Sequence, residues 1–308
     1  MDQARRVAEQ CAREVGLDPA LLERQGNGST SAVFLGGDTV FIVARPYADA
    51  HALEARVTLA SLLSATGRFV RPLWPQPRLV AGRLVTAWAR IDIRSGPVDW
   101  GSAGLALRTL HETPVDGISR RVPLRDVTTL TDVRSALARL TDETRIARRS
   151  AVLLGRVCDR LDDELTLLDR RRGIVHGDLH APNLLNGTDG VVLCDTDEIA
   201  IGAPSYDLGL LMDPRRPAIP AESIGAFTAA YGEPLPPLPV RRSFARAAHL
   251  RRTVHLLGLS GRTVREHAYD RMRLGAWAAM QRDWDRDLVP VVSLPARLRA
   301  GLALRGAR

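Results

Sequence analysis

From about residue 100 onward the chain reads as a succession of helices, and one stretch interrupts it. Ile174-Val175 and Val191-Val192-Leu193-Cys194 are short apolar runs of strand character, separated and followed by dense polar sequence. Segments near 128–142, 145–170, 221–231, 241–258 and 262–288 all carry apolar residues at helical spacing. A pair of short strands set into a helical body is unusual, and polar residues gather at their ends: His176-Gly177-Asp178-Leu179-His180-Ala181-Pro182-Asn183 and Cys194-Asp195-Thr196-Asp197-Glu198.

The first ninety residues are built differently. Residues 1 to 16 read as an amphipathic helix ended by Gly16. Strand-like runs follow near 21–24, 32–35 and 40–44, and Gly36-Gly37-Asp38 marks a hairpin between the last two. A helix is expected from Asp49 to about Ala65, and a strand from Arg83 to about Ala89. Another helix then ends near His111, so the chain opens as a small mixed lobe before the helices take over.

Composition bounds the function. The 308 residues are 45% hydrophobic and 25% charged, ample for a buried core. No apolar run is long enough to span a bilayer, and charges at Asp2, Arg5, Arg6 and Glu9 argue against a cleavable leader. Cys11, Cys158 and Cys194 are too scattered for a disulfide framework or a zinc site. A cytoplasmic protein without a membrane partner is expected. All 43 basic residues are arginine, a bias that fits a GC-rich coding sequence, so nucleic-acid binding is not expected despite the net charge of +8. From Leu208 to Arg308 there are 17 Arg and 8 acidic residues, a balance of +9 that leaves the first 207 residues near neutrality.

The polar stretch carries the chemistry. An Asp in a loop after a strand can accept a proton from a hydroxyl. An Asn five residues later and an Asp leaving the next strand can offer oxygens to one hard cation, and Mg²⁺ prefers such ligands together with water and phosphate oxygens. Base, Asn and Asp, in that order, suit phosphoryl transfer from a nucleotide to a hydroxyl.

Residues 174 to 209 resemble the aminoglycoside phosphotransferase and choline kinase family of small-molecule kinases. The family signature is His-Gly-Asp, four residues and Asn, then an apolar strand ending in Asp, then Gly-x-Pro-x-x-Asp-Leu. Here the last block is Gly202-Ala203-Pro204-Ser205-Tyr206-Asp207-Leu208. The resemblance implies an α+β, protein-kinase-like two-lobed fold. Its nucleotide-binding lobe would be residues 1–90 with a hinge near 86–92, and its catalytic and substrate lobe 91–308. It implies Asp178 as catalytic base, Asn183 and Asp195 as Mg²⁺ ligands, and Asp207 as a buried carboxylate holding the catalytic loop. His176, His180 and Asp197 would stand behind or beside them.

In the first lobe the polar loop containing Gly26, Gly28, Ser29 and Thr30 resembles the family's phosphate-covering loop, where glycines let the backbone approach phosphates. Arg45 stands where the family places a Lys, with Glu54 as its expected ion-pair partner. The backbone of Ala87, Trp88 and Ala89 is expected to meet the nucleotide base. The donor would be ATP or GTP, and the enzyme a monomer or homodimer.

The acceptor is a hydroxylated small molecule. Tyr231, His249, His255, His267, Tyr269, Trp277 and Trp284 are candidate liners, and Asp270, Asp283, Asp285 and Asp287 the available acids. The basic last third disfavours a strongly cationic acceptor. Inactivation of an antibiotic or related natural product is the expected role. A metabolic kinase for a sugar, nucleoside or amino alcohol, and a nucleotide-binding regulatory pseudokinase, stand as alternatives.

Overall fold

The computed structural model describes residues 3–27, 31–46, 48–143, 148–212, 219–259 and Trp277. The expected helix at 262–288 and the tail beyond it lie outside these residues, Trp277 excepted. The chain opens with α1 (Gln3–Glu14), a 3-10 turn (Pro19–Leu21), β1 (Glu23–Asn27), β2 (Ser31–Gly36), β3 (Thr39–Ala44), α2 (Ala50–Ser64), β4 (Arg78–Val80) and β5 (Arg83–Ala89). The strands form one antiparallel sheet in the order β1-β2-β3-β5-β4. Alternation sets its buried face: Ala32 and Phe34 of β2 and Phe41 and Val43 of β3 pack on Val7, Ala8 and Cys11 of α1. The Gly36–Thr39 hairpin needs Gly37 at φ 54.

The remainder is mostly helical: α3 (Trp100–His111), α4 (Val115–Ser119), β6 (Arg125–Asp126), α5 (Thr131–Asp142), α6 (Arg148–Leu168), β7 (Gly173–Val175), β8 (Leu184–Gly187), β9 (Gly190–Leu193), β10 (Ala200–Gly202), α7 (Ser205–Leu211), α8 (Ile224–Tyr231) and α9 (Leu238–Leu259). Helices α5, α6 and α9 enclose one core, around Leu137, Leu154, Leu161 and Leu250. A second core joins α3 and α8 to β9, and it also takes Leu59 and Leu63 of α2. Asp49 caps α2 by accepting the N–H groups of His51 and Ala52, so the helix begins just after β3. Its buried leucines then fasten it to the layer that carries β9 rather than to the core under the first sheet.

The strand pairing differs from the sequence reading. The two apolar runs do not pair with each other: β7 pairs with β10, and β9 with β8, which the sequence reading had not marked. Strand β8 escaped notice because Leu184-Leu185-Asn186-Gly187 follows the signature at once and has neither alternation nor length. The three-residue β4 was equally hidden among prolines. Among the described residues no helix is long and apolar enough to cross a membrane.

Helices α3 and α8 meet at Gly104, where a Cβ would collide with the Phe227 carbonyl. Backbone cannot swing aside as a side chain can, so Gly104→Ala is expected to cost about 1–3 kcal/mol by overpacking. Urea unfolding followed by circular dichroism measures this directly, and an unchanged midpoint would mean that the helices part without cost.

Candidate active site

Strand β7 ends at Val175, and the chain turns away at Gly177 with φ 82, where a Cβ would fall on the Glu198 carbonyl. Beneath this turn lies Asp207 of α7, fully buried. Its Oδ2 accepts the His176 amide at 2.7 Å and its Oδ1 the Gly177 amide at 2.9 Å. His111, the last residue of α3, places Nε2 3.0 Å from Oδ2 and Nδ1 2.8 Å from the Tyr231 hydroxyl. With Nε2–H donated to the carboxylate, Nδ1 accepts the tyrosine proton. Burial first pushes the Tyr231 phenol well above its usual range, keeping it a donor. Three N–H groups thus converge on one buried carboxylate, the condition under which such burial is tolerable.

A second chain of bonds runs from the same turn to the loop after β9. Buried His176 stacks on Phe69 and directs Nε2 at the Cys194 carbonyl, 2.8 Å away. The Cys194 amide donates to the Asn183 carbonyl at 3.1 Å, and the Asn183 side-chain NH₂ donates to the Asp178 carbonyl at 3.0 Å. Asn183 closes the short turn Ala181–Asn183 by donating its amide to the His180 carbonyl. The segments that carry Asp178, Asn183 and Asp195 are therefore linked through side-chain and backbone bonds, in a set that Asp207 anchors. Asp195 holds φ 72, a left-handed conformation uncommon outside glycine, and its Oδ1 accepts the Asp197 amide at 3.1 Å.

Charge surrounds this set unevenly. The Asp178 carboxylate has Arg252 Nη1 of α9 3.5 Å from Oδ1 and His180 Nε2 3.5 Å from Oδ2. Asp197 pairs with Arg56 of α2 at 3.0 Å, and Glu198 pairs with Arg125. A third of the Asp197 side chain stays exposed, yet desolvation, then the charges of Asp195 and Glu198, outweigh Arg56 and push its carboxyl up to about 6. Burial likewise pushes the Cys194 thiol up to about 12, so it is no nucleophile at neutral pH.

The nucleotide side is less complete. Gly26 lies in the β1 bulge between the pairs Arg24↔Phe34 and Asn27↔Ala32, whereas Gly28, Ser29 and Thr30 lie outside the described residues. Arg45 and Glu54 are both exposed and are not joined to each other. The ion pair from α2 runs instead from Arg56 to the loop of Asp195. Ala87, Trp88 and Ala89 lie inside β5, not after it: they pair with β3, and the Ala87 carbonyl and Ala89 amide bond to the segment 71–73. These three residues are therefore in the strand, and the chain leaves the sheet at Arg90. Arg90 donates to the Asp38 carbonyl and Arg94 to the Asn186 carbonyl of β8, which bounds the crossing at 90–94.

The oxygen-rich donor set suits a hard cation. The Asn183 NH₂ is spent on a carbonyl, which turns its Oδ1 the other way, and Asp195 adds an exposed carboxylate. Among the described residues no group of three or more His, Cys, Asp or Glu is arranged to hold a metal, so one bound here would also draw on phosphate and water oxygens.

Sequence reasoning missed Arg56, Arg125 and Arg252, because one arginine among 43 gives no local signal. Of the candidate acceptor liners, Tyr231 is buried against His111 and Phe227, and Trp277 is buried under His249. His255 is exposed, and His267, Tyr269 and Trp284 lie outside the described residues.

A five-stranded antiparallel sheet ahead of a mostly helical body that carries this loop set defines a protein-kinase-like fold. A family model described as the phosphotransferase enzyme family matches residues 21–250, and the chain belongs to that family. It is thus a phosphotransferase that acts on hydroxyl groups. Among curated protein sequences none matches it. The fold is similar to that of a spectinomycin phosphotransferase in complex with ADP and spectinomycin, at 17% identity and TM-score 0.59, covering 91% of this chain and 94% of the other. It is similar also to a choline/ethanolamine kinase family protein from Mesorhizobium loti, at 17% identity and TM-score 0.62, covering 89% and 94%. An amicoumacin kinase in complex with AMP-PNP, Ca²⁺ and its ligand aligns at 16% identity and TM-score 0.60, covering 90% and 95%.

Asp207→Ala would leave three buried N–H groups facing a void. The expected loss is several kcal/mol, since each buried donor left unsatisfied costs about 1–3 kcal/mol. Thermal unfolding of the variant tests it, and a fall in Tm of only a degree or two would assign the loop's support elsewhere.

Proposed function

We propose that the chain is a small-molecule O-phosphotransferase that moves the γ-phosphoryl group of ATP or GTP to a hydroxyl, with Mg²⁺. The observation that carries this reading is the bonded chain from Asp178 through Asn183 and Cys194 to the loop of Asp195, all braced on Asp207. Asp178 accepts the hydroxyl proton as the acceptor oxygen approaches phosphorus, and the Asn183 bond to its main-chain carbonyl fixes the backbone from which that carboxylate projects. Asn183 and Asp195 would hold the cation, which when bound supplies charge to the phosphate oxygens. The polar loop at 26–30 and Arg45 would lie along the phosphates. The base would meet the crossing segment 90–93 rather than Ala87–Ala89, which lie within β5. In this reading residues 1–90 serve the nucleotide and 91–308 the catalytic and acceptor groups.

The antibiotic-bound relatives support a natural product or antibiotic as acceptor, and inactivation as the role. The choline/ethanolamine kinase likeness keeps a metabolic acceptor in view. Asp270, Asp283, Asp285 and Asp287, which could bear on acceptor charge, lie outside the described residues.

The test is nucleotide diphosphate release with Mg²⁺ over a panel of hydroxylated acceptors. Asp178→Asn is expected to lower turnover by about 10²–10⁴-fold, the usual reach of general-base catalysis, with the unfolding transition and nucleotide affinity kept. Turnover at the wild-type rate would remove Asp178 from the chemistry. Nucleotide binding with no release from any acceptor would favour the regulatory pseudokinase instead.

A further inference from the structure

Helix α9 turns two adjacent arginines to different surroundings. Arg251 is buried: its guanidinium donates to the Val127 carbonyl at 3.2 Å and to the Thr129 carbonyl, and meets the Asp132 carboxylate at 3.2 Å. It also lies against the Tyr206 ring. Thr253 and Val254 are buried too, and Thr253 Oγ1 accepts the Trp277 indole N–H at 3.0 Å. These contacts fix the rotation of α9. At 3.6 residues per turn the next position after Arg251 leaves that buried face, and Arg252 emerges half exposed with Nη1 3.5 Å from Oδ1 of Asp178.

A half-exposed pair at that distance contributes little to stability. What it sets is charge at the reacting centre. An acceptor hydroxyl that gives its proton to Asp178 must lie about 3 Å from the carboxylate, which brings its oxygen within roughly 6 Å of Arg252. Among the described residues Glu198 is paired with Arg125 and Asp197 with Arg56, while Asp195 is the reading's metal ligand. His180, at Oδ2 of Asp178, adds no negative charge.

Resting on the phosphotransferase reading above, we propose that Arg252 selects the acceptor by charge, binding a carboxylate or phosphate carried close to the hydroxyl that is phosphorylated. The guanidinium presents a planar fork of donors that matches either group through two hydrogen bonds. Its exposure and its loose hold on Asp178 leave it able to turn from the base to the acceptor. An acceptor with an ammonium at that position meets a like charge. The site therefore takes hydroxy acids or phosphorylated polyols in preference to amino sugars.

The experiment uses the full chain with Mg²⁺ and ATP or GTP, and acceptors sharing one hydroxylated scaffold: the neutral sugar, its sugar acid, its sugar phosphate and its amino sugar, with aminoglycosides alongside. The quantity read is the ratio of kcat/KM for the anionic acceptor to that for its neutral or cationic analogue. A ratio well above one is expected, with the sugar acid and sugar phosphate arms telling carboxylate from phosphate. Arg252→Ala should lower it about 10- to 100-fold, the worth of a hydrogen bond to a charged group. Arg252→Lys should restore part of it, and Arg252→Glu should turn preference towards the amino sugar. A merely structural arginine would change rates for all acceptors alike and leave the ratio where it was. Thermal unfolding checks that each variant is folded. Turnover of neutral or cationic acceptors with a ratio indifferent to residue 252 overturns this proposal alone. Silence from every acceptor, with nucleotide bound, overturns it together with the phosphotransferase reading.

Discussion

A single buried carboxylate decides where the chemistry can happen. Asp207 gathers the His176 and Gly177 amides and the His111 ring, and so joins α3, α7 and the turn after β7 at one point. An uncompensated charge at that depth would be prohibitive, so the three donors and the carboxylate stand or fall together. From there the His176 side chain reaches the Cys194 carbonyl, and the Cys194 and Asn183 bonds close the circuit back to Asp178. The reacting groups can stay partly open to solvent because none of them has to hold the loop.

Helix α2 has a second connection to this circuit. Its leucines belong to the core beneath β9, and Arg56 reaches Asp197, two residues past Asp195. In this chain, which has no lysine, the helix after β3 is tied to the loop beyond β9 and not to the end of β3 itself. Its position is thus coupled directly to the Asp195 loop, while Arg45 remains exposed.

The candidate site from His176 to Glu198 was legible in the sequence because its spacing is local. Asp178 and Asn183 are five residues apart on one turn, and the apolar run before Asp195 announces its own strand. Helices α2, α3, α5, α6 and α9 were legible through periodicity, and β5 through its apolar run from Arg83 to Ala89. What could not be read was partnership at long range. Nothing in Ile174-Val175 says that its neighbour is β10 rather than β9, since short runs fit any register and tertiary packing decides. The occupied edge of β5 was unreadable for a related reason: Ala87–Ala89 looks the same in sequence whether or not residues 71–73 lie beside it. Arg252 lies 74 residues from Asp178, and only the rotation of α9, set by Arg251 and its buried neighbours, brings them together.

The left-handed backbone at Asp195 has a consequence for anyone who would make this enzyme sturdier. A non-glycine residue held there costs of order 1 kcal/mol relative to glycine, which enters that region freely. The carboxylate is exposed, so removing it opens no cavity in the core. Selection for heat resistance alone would therefore drift towards glycine or asparagine at that position and yield a protein that survives longer without the carboxylate that the proposed function assigns to the cation. Stability and activity draw on the same residue with opposite signs, and screens that read only melting temperature will choose the wrong one.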